Sequence, residues 1–224
     1  MSFPVLLFDL DGTLVDTSHD LAAAINAVMR AEGHNEISVE RLGHLFGQGG
    51  RAMLRRALAD SGVSEPTPET IERLNRDFIA FYRADIATLS RPFPGAVDAL
   101  DTLRDAGWQM AVCTNKTEVV ARELLVELGL IDRFRTVVGA DTFARPKPDA
   151  MPLLGAIGQS GGRVEGSVMI GDSRTDIDAA RAAGLPVVAV TFGYTDTPVS
   201  ELGPDVVIDH FDQLAEALAG LAGG

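Results

Sequence analysis

Apolar and polar positions follow two rhythms along this chain, and the change of rhythm divides it. Val5-Leu6-Leu7 is a continuous apolar run that leads into Phe8-Asp9-Leu10-Asp11-Gly12-Thr13. An apolar run closed by a glycine turn reads as a buried strand of a parallel sheet. From residue 18 to 83 the period becomes helical. Leu21, Ala24, Ile25 and Val28 form one stripe, and residues 51–58 and 71–82 read as two further helices, with no convincing strand among them. Arg91-Pro92-Phe93-Pro94-Gly95 then breaks helical continuity, as a linker or hinge does.

Beyond that cluster strands and helices alternate. The pattern predicts strands over 108–113, 136–138, 167–170, 187–190 and 206–208, and helices over 118–128, 150–157, 176–183 and 211–221. Alternation of this kind argues for an α/β fold with a doubly wound, Rossmann-like parallel sheet. The first strand is separated from the others by the helical block. The economical architecture is therefore an α/β core of residues 1–16 and 91–224, interrupted by an all-helical cap of residues 17–90. The glycine-rich C-terminus is expected to fray.

Composition narrows the function. The chain has 224 residues, 46% hydrophobic and 23% charged, which suits a globular protein with a full core. Its net charge of −13 argues against a nucleic-acid or anionic-membrane partner, since both require a basic patch. A small anionic substrate remains compatible, because it responds to a few local cations and a metal. Cys113 is the single cysteine, so no intrachain disulfide forms. There is no signal-peptide pattern and no apolar stretch of the roughly 20 residues that span a bilayer. The expectation is a cytoplasmic protein, monomeric or homodimeric.

Asp9 and Asp11 should emerge together from the carboxyl end of the first strand. Two like charges about 4 Å apart repel by roughly 4 kcal/mol near a protein surface, so a bound cation would matter there. Three more polar clusters follow predicted strands, where an α/β sheet places its active site. Thr114-Asn115 can hold phosphate oxygens through a hydroxyl and backbone N–H groups, or cap a helix. Lys147 lies between Pro146 and Pro148 and is one of only two lysines, the other being Lys116. Asp172 and Asp176 add two carboxylates, with helix capping as the plainer use. Each cluster is weak alone, but all four fall on one sheet edge. Four carboxylates and a lysine suit a hard, oxygen-seeking ion such as Mg²⁺. The four scattered histidines and lone cysteine disfavour zinc.

This ordered set resembles the four motifs of the haloacid dehalogenase superfamily, over the whole chain and with the cap included. In detail it is similar to phosphoglycolate phosphatases and their relatives. The residues that carry this are Asp9 to Thr17, Thr114-Asn115-Lys116, Lys147-Pro148-Asp149 and Gly171 to Ile177. The resemblance implies a phosphatase acting on a small phosphorylated metabolite, 2-phosphoglycolate being the leading candidate. Asp9 would be the nucleophile that forms an aspartyl-phosphate, and Asp11 the general acid and base. Mg²⁺ would be held by Asp9, the Asp11 backbone carbonyl and Asp172. Thr114, the Asn115 backbone N–H and Lys147 would stabilise the transferring phosphoryl oxygens. Asp176 would orient Lys147 or a metal-bound water.

Relatives with other chemistries fit less well. Metal-free haloalkanoate dehalogenases lack a carboxylate at the position of Asp11. Phosphonoacetaldehyde hydrolases need a cap lysine, and none lies between Ser18 and Arg91. β-Phosphoglucomutases carry a cap histidine where this chain has Leu21, with His19 two residues out of register. A pyrophosphatase or sugar-phosphate phosphatase would share the core motifs. A receiver-like phospho-acceptor is about half this length and carries its aspartate on a later strand. Substrate choice is expected to lie in the cap. Gly49 and Arg51, in Gly47-Gln48-Gly49-Gly50-Arg51, can meet a substrate carboxylate or simply begin a helix with an exposed arginine. His44 and Arg55 are weaker candidates. Lys116 adds positive potential at the site's mouth or is exposed near its helix start.

Overall fold

The structure is a computed structural model that describes residues 2–222, apart from the side chain of His44. The expected fraying of Gly223 and Gly224 lies outside the described residues. Strand β1 (Pro4–Phe8) is followed by a two-residue strand β2 (Val15–Asp16) and then by helices α1 (Ser18–Ala31), α2 (Val39–Leu42), α3 (Gly50–Asp60) and α4 (Pro68–Ala84). The chain returns through β3 (Arg91–Pro92), which pairs antiparallel with β2. Next come α5 (Ala96–Asp105), β4 (Gln109–Cys113), α6 (Glu118–Glu127), β5 (Thr136–Val138) and α7 (Met151–Gln159). Strand β6 (Arg163–Gly171), α8 (Arg174–Ala183), β7 (Val187–Val190), β8 (Val206–Ile208) and α9 (Leu214–Ala222) complete the chain.

Among the described residues, the main sheet has six strands in the order β5-β4-β1-β6-β7-β8, parallel at every pairing. Strand β1 lies inside it, and its period of two divides it between two cores. Leu6 and Phe8 join one apolar cluster with Val112 and Ile170, while Val5 and Leu7 join the other with Ala111 and Met169. A strand buried on both faces needs an apolar residue at every position, which Val5-Leu6-Leu7-Phe8 supplies. Because β1 has β4 on one side and β6 on the other, the loops after all three strands open at one crevice.

Helices α1, α3 and α4 bury a separate cluster that includes Leu21, Ile25, Met29, Leu54, Leu74 and Phe78. The doubly wound core with an inserted helical cap is thus the observed architecture. Two features anchor the cap's connections. The β2–β3 ribbon brings the outgoing and returning segments side by side. The buried Asp20 carboxylate on α1 accepts hydrogen bonds from Leu89 N, Ser90 N and Ser90 Oγ at 2.7–3.0 Å, tying the first cap helix to the return segment.

Several boundaries differ from the sequence pattern. Helix α5 was not expected, although its buried Ala96, Leu100 and Leu103 have helical spacing. The preceding proline cluster masked it, and Gly95 supplies the left-handed turn (φ 79°) that lets a helix begin there. Strand β6 extends four exposed residues earlier than its apolar segment, past a shift in register against Pro4. The predicted 211–221 helix divides into a 3₁₀ turn, Phe211–Gln213, and α9.

Replacing Asp20 with alanine leaves buried N–H groups of the return segment without their acceptor. The D20A variant should lose about 2–4 kcal/mol of unfolding free energy, on the usual cost of unsatisfied buried groups. Urea denaturation measures this, and a change below about 0.5 kcal/mol would show that the tie is unimportant.

Candidate active site

The turn after β1 carries Asp9 and Asp11, the loop after β4 carries Thr114, Asn115 and Lys116, and β6 leads directly into Asp172. Lys147 comes from the long loop between β5 and α7, and Asp176 from the first turn of α8. Asp9, Asp11, Thr114, Lys147, Asp172 and Asp176 are all buried. The sheet therefore gathers the residues that the four motifs single out.

Lys147 is the electrostatic centre. Its Nζ lies 2.6 Å from Asp176 Oδ1 and 2.9 Å from Asp9 Oδ1. Burial alone would pull the lysine's pKa down, but the carboxylates of Asp176 and Asp9 reverse this and hold it above its ordinary value. Asp176 Oδ2 accepts from Ser173 Oγ at 2.7 Å and Ser173 N at 3.1 Å. Both Asp176 oxygens are thereby engaged, one fixing the start of α8 and the other aiming Lys147.

Asp172 is held just as closely. Its Oδ1 accepts from Thr13 Oγ1 at 2.8 Å and its Oδ2 from Tyr194 N at 2.7 Å. Two glycines allow the flanking loops to close on it. A Cβ on Gly193 would sit 2.1 Å from Asp172 Cβ, and one on Gly12 would sit 2.6 Å from Asp172 Oδ2. Gly12 also has a φ of 85°, a conformation that side-chain-bearing residues avoid.

Asp11 Oδ1 accepts from Thr17 Oγ1 at 2.7 Å and lies 3.0 Å from Lys116 Nζ. The Lys116 side chain is only 8% exposed and its ammonium stands 4.5 Å above the Tyr82 ring. Lys116 thus lines the site as a buried ion pair rather than projecting from its helix start. Thr114 Oγ1 accepts from Lys116 N at 3.1 Å, and Asn115 Nδ2 donates to the Lys147 carbonyl at 3.2 Å.

Asp9, Asp11, Thr114, Asn115, Lys116 and Lys147 line a cavity of about 310 Å³ between core and cap. Gln48, Gly49, Arg51, Met53, Asn75, Phe78 and Tyr82 contribute its cap side. Arg51 sits at the rim, where its Nε and Nη2 bind both oxygens of Glu72 at 2.6 and 2.7 Å, and its side chain is 57% exposed. Arg55 is exposed and outside the cavity lining. The His44 side chain lies outside the described residues. Cys113 is buried and faces the core, where burial pushes its thiol up to about 12.

Sequence reasoning passed over Tyr194 and Asn75. Tyr194 follows β7, so its place beyond a strand's carboxyl end was a usable signal. Its hydroxyl donates to Asp16 Oδ1 at 2.5 Å and accepts from Thr17 N and Ser18 N, and its ring packs 5.1 Å from that of Phe46. Burial raises the Asp16 pKa, but the hydrogen bonds from Tyr194 and Ser18 outweigh it and hold the group below its ordinary value.

The donor set suits a hard cation. Asp9, Asp172 and Asp176 each offer an oxygen, and these oxygens lie within 4.8 Å of one another. Asp9 Oδ1 is buried and faces the Lys147 ammonium at 2.9 Å. Burial and the Asp176 charge raise the Asp9 pKa from 3.8 to about 7, with Lys147 offsetting part of the rise. Asp172 is likewise raised, by burial and then by Asp176 and Asp9. Asp9, Asp172 and Asp176 together form the carboxylate group that could bind a divalent ion.

A family model described as haloacid dehalogenase-like hydrolase matches residues 6–190. The chain belongs to the haloacid dehalogenase-like hydrolases. Among curated relatives, it is 49% identical to a phosphoglycolate phosphatase of Agrobacterium fabrum, over 96% of this chain and 92% of that one. It is 43% identical to a phosphoglycolate phosphatase of Mesorhizobium japonicum, over 98% and 96% of the two chains. The crystal structure of a predicted phosphoglycolate phosphatase from Haemophilus somnus superposes with a TM-score of 0.89 at 28% identity, covering 97% of this chain and 98% of that one. Among the described residues no helix is long and apolar enough to cross a membrane.

Raised carboxylate pKa values mean that the folded metal-free protein holds protons the unfolded chain releases. Its stability from Asp9 is therefore present below the ordinary value of 3.8 and is lost as pH rises to about 7. Binding of Mg²⁺ to ionised carboxylates should reverse this. At 100 times its Kd the ion should add about 2.7 kcal/mol, or about 5–10 °C in Tm, at pH 8. The shift should be clearly smaller at pH 5.5. Scanning fluorimetry with and without Mg²⁺ tests this, and equal shifts at both pH values would contradict it.

Proposed function

We propose that the chain is a Mg²⁺-dependent phosphomonoester hydrolase whose substrate is 2-phosphoglycolate. The observation that carries the hydrolytic chemistry is the buried Asp9 carboxylate, 2.9 Å from Lys147, with Asp11 two residues further on and lining the same cavity. The names and extensive similarity of the relatives support the substrate. With Cys113 as its only cysteine, the enzyme suits the cytoplasm, where it acts as a monomer or homodimer.

In this reading an Asp9 oxygen attacks phosphorus while the bond from phosphorus to the ester oxygen breaks. Asp11 gives its proton to the departing alkoxide. It then takes a proton from water, which attacks the aspartyl-phosphate, and phosphate leaves as the Asp9 carboxylate is restored. Lys147, the Thr114 hydroxyl and the Asn115 backbone N–H stabilise charge on the transferring oxygens. Asp176 keeps Lys147 aimed at Asp9. Asp9, Asp172 and the Asp11 carbonyl would hold Mg²⁺, which supplies positive charge to nucleophile and phosphoryl group alike. The cap, taken as residues 17–90, roofs the site and limits access of water.

The D9N and D11N variants should each lose about 10³-fold or more in kcat with circular dichroism unchanged, as removal of a principal catalytic group does. EDTA should abolish turnover and Mg²⁺ restore it. In a panel of 2-phosphoglycolate, sugar phosphates, pyrophosphate and nucleotides, 2-phosphoglycolate should give the highest kcat/KM. Full activity of D9N would refute the mechanism, and a higher kcat/KM for another compound would refute the substrate.

A further inference from the structure

Three cationic side chains line the cavity: Lys147, Arg51 and Lys116. Their partners separate their uses. Lys147 lies at the base against Asp9 and Asp176. Arg51 gives its fork to both oxygens of Glu72 at the exposed rim. The Lys116 side chain is 8% exposed, and its ion pair to Asp11 Oδ1 at 3.0 Å accounts for one of the three donors of an ammonium. The Tyr82 ring lies against it, and Phe78 and Val120 line the same cavity. An ammonium so enclosed interacts with a second anion far more strongly than one in water.

Its position fixes where that anion must be. If Asp11 protonates the ester oxygen, that oxygen lies about 2.6–3.2 Å from the Asp11 carboxylate. Lys116 Nζ lies 3.0 Å from the same carboxylate. A substrate group that meets Lys116 is therefore attached within a few bonds of the ester oxygen. In the phosphate ester of a 2-hydroxy acid, the carboxylate stands on the carbon that bears this oxygen. We infer that Lys116 is the specificity-determining residue, binding the carboxylate of such an ester beside Asp11. The inference rests on the phosphatase reading and on the role given there to Asp11. It assigns carboxylate recognition to the core loop after β4, while the rim arginine remains with Glu72.

The test compares wild type, K116M and R51A on 2-phosphoglycolate and on ethyl phosphate, which lacks the carboxylate. Wild type should favour 2-phosphoglycolate by about 100-fold in kcat/KM, the scale of a desolvated charge pair. K116M should lose about 100-fold more in kcat/KM on 2-phosphoglycolate than on ethyl phosphate, the excess falling mostly on KM. R51A should keep the preference. K116Q replaces K116M if the latter fails to fold, as judged by circular dichroism. Equal losses on both compounds, or a preference that survives K116M, would overturn the assignment while leaving the phosphatase reading intact. Loss of preference in R51A instead would move recognition to the rim. A wild type without preference would overturn both the assignment and the substrate reading.

Discussion

Everything at the site follows from the crowding of carboxylates at one sheet edge. Asp9, Asp11, Asp172 and Asp176 are buried together, with the buried Lys147 and the largely covered side chain of Lys116 as their cationic partners. Four negative charges against two positive ones leave a formal excess of two. At separations near 4 Å each like pair costs about 4 kcal/mol in a moderately polar interior. The surroundings answer that cost locally. Thr13 and the Tyr194 N–H hold Asp172, Ser173 and Lys147 hold Asp176, and Thr17 and Lys116 hold Asp11. Asp9 lies against Lys147, its Oδ1 2.9 Å from the ammonium, and burial together with the Asp176 charge raises its pKa to about 7. In the proposed reading, a divalent cation and a phosphoryl group complete this arrangement.

The same polar network reaches the cap. Asp11 Oδ1 shares a hydrogen bond with Thr17, at the entry to α1, and Tyr194 joins Thr17 and Ser18 through its hydroxyl while its backbone N–H holds Asp172. Displacement of the cap's first residues would therefore be felt at both Asp11 and Asp172. On the far side an Arg83–Glu123 ion pair bridges α4 to α6. Its exposure makes it a weak contributor to stability. The apolar contacts of Val120 and Tyr194 with the cap cluster carry more of the docking.

Much of this was legible in the sequence because strand ends in a parallel sheet are marked twice. The apolar runs Val5–Phe8 and Met110–Cys113 announce buried strands, and the polar residues that follow have no role in that core. Asp9, Thr114 and Asp172 were found in this way. Pairwise commitments were not legible. Nothing in the spacing shows that Arg51 turns to Glu72, 21 residues on, or that Lys116 turns inward to Asp11. Those outcomes depend on how α3 packs on α4 and on the loop after β4, both set by tertiary contacts. Helix α5 escaped notice because the neighbouring prolines dominated the local pattern, though Ala96, Leu100 and Leu103 carried its period.

The central claim is that this buried cluster makes Asp9 a nucleophile toward phosphorus. Rapid acid quenching of the enzyme with Mg²⁺ and radiolabelled 2-phosphoglycolate, followed by peptide mapping, tests it directly. The account predicts transient label on the peptide that contains Asp9, chemically labile as an acyl phosphate and absent when Mg²⁺ is withheld. Turnover of the substrate with no protein-bound label at any quench time, or label confined to another peptide, would contradict it.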